Sequence, residues 1–261
     1  MSSSRVTSST GSTFDRRTLR IEIVLVLAVS LGQSAVFALV HIIATLTSGA
    51  PLSSSVAQLN GSYTPRPLLD LTYQLLHLGF ALVPVALVWH FVRIGGERPA
   101  QVFGLDGSQP GRDVRRGVTL AALIGGSGLA LYLTAFALGV NLQVSASGLP
   151  EIWWRVPVLI LAAFENALLE EVVMLGYLIH RLQQIGWSPR TAVVVSALIR
   201  GTYHFYQGFG GFVGNVVMGL VFGWLFLRWK RTAPMVIAHF LIDAVAFVGY
   251  VYLQGHVSWL P

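Results

Sequence analysis

Residues 168–177, LLEEVVMLGY, place two adjacent glutamates, Glu170 and Glu171, inside a long run of apolar residues. In an α-helix these two side chains would project about 100° apart, so they would not share one face. An ionisable residue at the centre of a bilayer costs roughly 2.5–3.5 kcal/mol on insertion scales. A chain that keeps two carboxylates in such a run must therefore supply polar partners or water for them, and we expect other helices to contribute.

The composition is that of a membrane protein. Of the 261 residues, 54% are hydrophobic and only 11% are charged, whereas soluble domains carry about 25% charged residues. The net charge of +6 comes from residues at the ends of apolar runs, not from a basic helix with interleaved aromatics, so we predict no nucleic-acid partner. The chain has no cysteine, which excludes disulfides, thiol catalysis and cysteine metal sites.

Apolar runs long enough to cross a bilayer recur along the chain. They predict seven spans, at residues 19–46, 69–92, 116–139, 156–180, 190–206, 211–228 and 233–253. The arginine-rich connections alternate along the chain, so they all fall on one side, which the positive-inside rule assigns to the cytoplasm. We predict an all-α, polytopic transmembrane helical bundle of about seven helices with a cytoplasmic N-terminus, in a bacterial cell membrane.

The organisation along the chain follows from these spans. The Ser/Thr-rich, basic residues 1–18 are predicted to be a disordered cytoplasmic tail. Residues 19–150 form N-terminal transmembrane helices with loops, and their spans are nearly free of ionisable residues. Residues 151–253 form a second transmembrane region, which holds the candidate site, and residues 254–261 form a C-terminal tail.

Ionisable residues concentrate in the second region. They are Glu165, Glu170, Glu171, Arg200, His204, His239 and Asp243. Two glutamates, the arginine and the aspartate would together cost on the order of 10 kcal/mol if they faced lipid. Arg200 with His204, and His239 with Asp243, are each four residues apart and so share a helix face. We therefore expect three helix faces to meet around a water-filled cavity.

Three nearby polar residues are expected to have no chemical role. Glu165 is interpreted as a satisfied polar residue. Asn166 is interpreted as a residue that bonds across helices, and Tyr203 as a packing or interface aromatic.

A carboxylate opposite an imidazole is an arrangement that activates water, and a second imidazole with Asp243 could orient an oxyanion. The predicted reaction is hydrolysis of an acyl bond, a peptide bond in a membrane-associated peptide or protein. A divalent metal such as Zn²⁺ is an alternative, with His204, His239 and Glu170 as ligands. The HExxH motif is absent, and we favour the metal-free glutamate mechanism.

The order and spacing of these residues resemble the CPBP intramembrane proteases, which include type II CAAX prenyl proteases and bacteriocin self-immunity proteins. The family motifs EExxxR, FxxxH and HxxxN/D correspond to residues 170–175, 200–204 and 239–243, within a resemblance that covers about residues 153–250. The resemblance implies that Glu170 and His204 activate water and that Glu171 supports the site. It also implies that His239 and Asp243 line the oxyanion side. The family is often labelled metalloprotease, although a metal-independent glutamate mechanism has been argued for its members.

Two positions depart from the family motifs. Leu175 stands where the family has arginine, and Arg200 stands where it has phenylalanine. We predict that the arginine has moved to a neighbouring helix and pairs with Glu171 across the gap. The leading function is a CAAX-type intramembrane endopeptidase. The alternatives are a catalytically inactive protein of the same fold, acting in bacteriocin-type immunity or as a scaffold, and a proton-coupled transporter.

Overall fold

The computed structural model describes residues 14–49, 52–139 and 142–257. In the first half of the chain the helices are α1 (Arg16–Ala28), α2 (Leu31–Thr47), α3 (Pro67–Ala81), α4 (Val83–Ile94), α5 (Pro99–Val102) and α6 (Pro110–Ala137). In the second half, α7 (Arg155–Glu170) continues through a π-helical segment (Glu171–Ile179) into α8 (His180–Gln184), and α9 (Pro189–Tyr203), α10 (Phe209–Trp229) and α11 (Ala233–Leu253) follow. The predicted all-helical membrane bundle is confirmed.

Among the described residues, fewer than seven helical stretches meet the length and apolar composition expected of a membrane span. Four helical stretches are long and apolar enough to cross a membrane: Pro67–Ile94, Pro110–Ala137, Phe209–Trp229 and Ala233–Leu253. The pair α1 and α2, bent by 53°, makes a fifth if it counts as one span. α9 has 15 residues, about 22 Å of helix, which is shorter than the roughly 30 Å hydrocarbon core of a bilayer. Seven spans and a cytoplasmic N-terminus therefore stay predictions.

The predicted tails lie mostly outside the described residues, which begin at residue 14 and end at residue 257. α1 begins at Arg16, because the Asp15 side chain caps it by accepting a hydrogen bond of 2.8 Å from the backbone N–H of Thr18. On the other side of the bundle, two short parallel strands, β1 (Val56–Gln58) and β2 (Gln143–Ser145), join the α2–α3 loop to the α6–α7 connection.

The π-helical segment is the centre of the bundle. All nine of its residues are buried, and it packs against α4, α9 and α10. Around it, α11 packs against α6 and α7, and α9 packs against α2 and α10. Because Glu170 and Glu171 stand where α7 passes into this segment, the two carboxylates lie at the middle of the molecule.

α9 and α10 approach each other closely at two glycines. A Cβ on Gly201 would lie 2.4 Å from Cγ2 of Val216, and a Cβ on Gly219 would lie 2.9 Å from Cα of Ala197 and 3.2 Å from Cδ of Arg200. Small residues allow helix backbones to approach in this way. The close approach presses the stem of Arg200 against α10 and directs its guanidinium into the bundle.

Arg181 holds three elements together at one end of the bundle. Its guanidinium, which is fully buried, lies 2.9 Å from Glu22 of α1 and 3.2 Å from Glu97 of the α4–α5 loop. Tyr177 also donates to Glu22, at 2.8 Å. Glu22 lies in a span that was predicted to be nearly free of ionisable residues. Its partner Arg181 is 159 positions away in the chain.

Arg231 anchors the loop before α6 to the α10–α11 turn. Its guanidinium contacts both carboxylate oxygens of Asp113, with the shortest distance 2.6 Å, and reaches Asp106 at 2.7 Å. Thr232 adds a hydrogen bond to the carbonyl oxygen of Phe103. The connection between α4 and α6 is therefore held to the second transmembrane region.

Candidate active site

Arg200 is the charge at the centre of the site. It is 1% exposed, and its guanidinium lies 2.7 Å from Oε1 of Glu171 and 3.2 Å from Oε2 of Glu170. The ion pair predicted between Arg200 and Glu171 is present. Both carboxylates nevertheless contact one guanidinium, although the 100° between adjacent residues of an α-helix predicted that they would point to different faces. The helix changes from α to π between them, and the planar guanidinium is a fork that can span two carboxylates.

Glu171 forms the floor of the site. It is fully buried, and its Oε1 also accepts a hydrogen bond of 2.8 Å from Nδ1 of His239. Its Oε2 and the Nε of Arg200 have no hydrogen-bond partner among the described residues. A buried charge is tolerated only when it is paired, so Glu171 and Arg200 depend on each other for their place in the bundle.

Glu170 and His204 face each other across a gap. Oε2 of Glu170 accepts a hydrogen bond of 2.8 Å from the Tyr203 hydroxyl, while its Oε1 lies 3.9 Å from Nε2 of His204. Nδ1 of His204 is 3.0 Å from the carbonyl oxygen of Arg200. A carbonyl only accepts hydrogen bonds, so Nδ1 donates and, in the neutral ring, Nε2 carries the lone pair. Two acceptors thus point at each other, an arrangement that one water molecule satisfies by donating to both.

His239 and Asp243 close the site from α11. Nε2 of His239 lies 3.5 Å from Oδ2 of Asp243, so the two residues share a helix face as predicted. Nδ2 of Asn166 lies 3.4 Å from the same oxygen, which confirms the predicted cross-helix contact of Asn166. The structure therefore brings together all five predicted catalytic residues and Arg200.

One prediction near the site is incomplete and another is wrong. Tyr203 is not only a packing aromatic, because its hydroxyl bonds Glu170. A regular α9 would point it about 100° away from His204, but α9 ends at Tyr203. Oε1 of Glu165, expected to be satisfied, is buried without a hydrogen-bond partner among the described residues. The sequence offers no spacing signal for either result.

The residues fit a divalent metal poorly. Glu170, Glu171 and His239 can each offer one ligand atom, and these atoms lie within 4.8 Å of one another. This set differs from the predicted ligands by Glu171 in place of His204. Arg200 already contacts both carboxylates at salt-bridge distance, so a metal on the same oxygens would lie beside a buried positive charge. The mechanism proposed below uses no metal.

With this geometry, the chain can be compared with known proteins. Residues 152–245 match the model of the family described as type II CAAX prenyl endopeptidase, Rce1-like. We call residues 152–245 the Rce1-like region, after the family that they resemble. The predicted resemblance is confirmed, and the Rce1-like region contains every residue of the candidate site, while α1 to α6 lie outside it. No curated protein and no solved structure matches the chain. The apolar helices and the Rce1-like region together indicate a multi-pass membrane protein.

Proposed function

We propose that the chain is an intramembrane endopeptidase that hydrolyses a peptide bond in a membrane-associated substrate of CAAX type. The observation that carries the proposal is the gap between Glu170 and His204, with the His204 tautomer set by the Arg200 carbonyl. A carboxylate and an imidazole lone pair aimed at one water position are a general-base pair. The Rce1-like match over residues 152–245 supports the choice of a peptide bond.

Glu170 acts as the base in this proposal. Its Oε2 is occupied by Tyr203 and Arg200, so Oε1 is the oxygen that receives a proton from water. The hydroxide adds to the carbonyl carbon of the peptide, and Glu170 then returns the proton to the leaving nitrogen as the carbon–nitrogen bond breaks. Arg200 and Glu171 position Glu170 during both steps and do not touch the substrate.

The oxyanion of the tetrahedral intermediate needs hydrogen-bond donors. On the α11 side these are the amide of Asn166 and the Nε2–H of a protonated His239 ring, since the Nδ1–H of that ring already donates to Glu171. Both groups lie at Oδ2 of Asp243. An ionised Asp243 only accepts hydrogen bonds, so in this proposal it orients the two donors. Asn166 is thus added to the residues predicted from the sequence.

The proposal is tested with purified protein in detergent and a prenylated CAAX peptide, with cleavage followed by mass spectrometry. We expect Glu170→Gln and His204→Ala to reduce kcat/KM by about 10²–10⁴-fold, because each removes a general base or its partner. Glu151→Gln, at an exposed glutamate before α7, is the matched control and should cleave normally. Equal cleavage by all four proteins rules out this catalysis, and a folded wild type without cleavage favours the inactive immunity or scaffold alternative.

Metal removal tests the choice of mechanism. Because Arg200 already contacts both carboxylates that a metal would use, we expect dialysis against a chelator to leave cleavage unchanged within twofold. Wild-type protein assayed before dialysis is the reference. Loss of activity that returns only on adding Zn²⁺ would show that a metal is required.

A further inference from the structure

A groove runs along α2 on the outside of the site. Its polar part, about 490 Å³, is lined by Gln33, Ser34, Phe37, His41, Tyr203 and Tyr206. Its apolar part, about 400 Å³, is lined by Leu31, Phe80, Val83, Leu87 and Leu169. Gln33 and Ser34 line both parts, so the two parts adjoin. We call the two together the α2 groove.

The α2 groove meets the candidate active site directly. Tyr203, in its wall, donates to Glu170 at 2.8 Å, and the Tyr206 ring stacks 6.4 Å from the ring of His204. In the apolar part, Leu169 is the chain neighbour of Glu170. A molecule lying in the groove would therefore pass beside the Glu170–His204 gap.

Three polar side chains of α2 in the groove have no hydrogen-bond partner in the part of the chain that the structure describes. Gln33, Ser34 and His41 are exposed, and their side chains make no hydrogen bond to the described residues. They lie in the predicted span 19–46, where a polar group facing hydrocarbon is costly. Ser34 and His41 are seven residues, about two helical turns, apart and share a face, whereas Val36 and Val40, each 61% exposed, line neither part. The polar groups of α2 are thus directed to the groove.

An extended peptide supplies what these side chains lack. Each of its residues carries one N–H and one C=O that must be paired away from water, and Gln33, Ser34 and His41 offer both donors and acceptors. An alkyl chain would leave all of them unsatisfied. The apolar part, in contrast, suits an apolar group attached to the peptide.

We propose that the α2 groove is the substrate-binding site, where the peptide main chain lies along Gln33, Ser34 and His41 and an apolar group of the substrate fills the part lined by Phe80, Val83 and Leu87. The inference rests on the proposed function and assigns its substrate site to α2, outside the Rce1-like region. The apolar group is a lipid chain or an apolar side chain of the peptide.

Photo-crosslinking tests the site without requiring cleavage. A photoreactive phenylalanine analogue replaces Phe37 in the Glu170→Gln protein, and a prenylated CAAX peptide is the probe. We expect at least fivefold more crosslinked peptide than with the same analogue at Val40 on the same helix. Equal crosslinking at the two positions contradicts the assignment of the α2 groove as the substrate-binding site. Crosslinking at position 37 by a protein that never cleaves refutes the proposed function and leaves the groove standing.

Kinetics provide a second measurement. Ser34→Trp should raise KM by about tenfold with kcat within twofold, because it fills the junction of the two parts without touching Glu170. Val36→Trp is the control and should leave both constants unchanged. An unchanged KM in a folded Ser34→Trp protein contradicts the proposal.

A third comparison identifies the apolar group. Val83→Trp should weaken binding of the prenylated peptide more than that of the same peptide without its prenyl group, if the apolar part holds a lipid chain. An equal loss for both peptides assigns that part to an apolar side chain, and no loss for either removes it from the site.

Discussion

At the scale of single residues, Arg200 performs the task that the family motif gives to an arginine on the glutamate helix. Leu175, at that motif position, is 1% exposed in the apolar core, so the helix has no charge there to pair with Glu171. Arg200 reaches Glu171 and Glu170 from α9. The charge balance is retained while its source has moved to another helix.

Replacing Arg200 tests this exchange. Arg200→Phe removes the guanidinium that pairs with the buried carboxylates of Glu170 and Glu171. Losing one partner of a buried pair costs about 3–5 kcal/mol. We expect a lower melting temperature in detergent and no cleavage. Adding Leu175→Arg, four residues after Glu171, should recover part of both, since i,i+4 positions lie on one face. Arg200→Lys is the control for charge alone and should restore little, because an ammonium cannot form the fork. Wild-type melting of Arg200→Phe would refute the pairing role.

Asp243 and Asn166 make a second prediction at this scale. Asp243→Asn should keep or raise kcat, because the new amide is a hydrogen-bond donor for the oxyanion. Asn166→Ala should lower kcat by about 10²-fold with less effect on KM, and should lower it less when combined with Asp243→Asn. Independent effects of the two substitutions would contradict a shared role.

At the scale of elements, the closeness of α9 and α10 places Arg200. A Cβ on Gly219 would fall 2.9 Å from the backbone of Ala197 and 3.2 Å from the Arg200 side chain. The length of α9 matters as well. Because the helix ends at Tyr203, the side chains of both Tyr203 and His204 lie at Glu170. The geometry of the site is thus set by helix packing and helix length together.

Gly219→Ala tests the packing. Overpacking a close contact costs about 1–3 kcal/mol, and here the displaced groups include Arg200, so we expect both a lower melting temperature and a lower kcat. Gly126→Ala in α6 is the control, since a Cβ there meets nothing within 4 Å. Similar behaviour of the two variants would show that the α9–α10 contact does not constrain the site.

At the scale of the whole molecule, two buried arginines join the N-terminal helices to the Rce1-like region. Arg181 binds α1 and the α4–α5 loop, and Arg231 binds the loop before α6. The hydrogen bonds that Arg231 donates to Asp113 and Asp106 raise the pKa of Arg231. The bond that Asp106 accepts from Arg231 lowers the pKa of Asp106. These links hold the two halves in one arrangement, so the α2 groove keeps its place beside Glu170.

The Arg231 link predicts a pH dependence. Because the pKa of Asp106 is lowered in the folded protein, its contribution is complete above the ordinary aspartate pKa of about 4 and decreases as the pH falls below that value. The free energy of unfolding should therefore drop less in Asp106→Asn than in wild type when the pH falls from about 5 to about 3, a range that includes the ordinary aspartate pKa. Asp113→Asn, at the buried partner, should destabilise the protein more than Asp106→Asn at neutral pH. Identical pH profiles for wild type and Asp106→Asn would refute the link.

Much of the site could be predicted from the sequence because ionisable residues are expensive in apolar helices. That cost made Glu170, Glu171, Arg200, His204 and Asp243 stand out, and it required them to meet. The same cost applies to Glu22 in the first predicted span, which was not among the residues predicted to be paired. Tyr203 and the groove residue Ser34 carried no such signal, since tyrosine and serine are tolerated in many membrane helices.

The amino-acid sequence alone was enough to predict an all-α membrane bundle and the set of charged residues that share its interior. The length of an apolar run and the presence of a charge within it are local properties. Three further features depend on the folded chain: both glutamates pair with Arg200, the Tyr203 hydroxyl donates a hydrogen bond to Glu170, and α2 forms a groove beside them. Helical periodicity states which side chains share a face. The rotation and closeness of neighbouring helices depend on contacts between residues far apart in the chain, and these decide which faces meet.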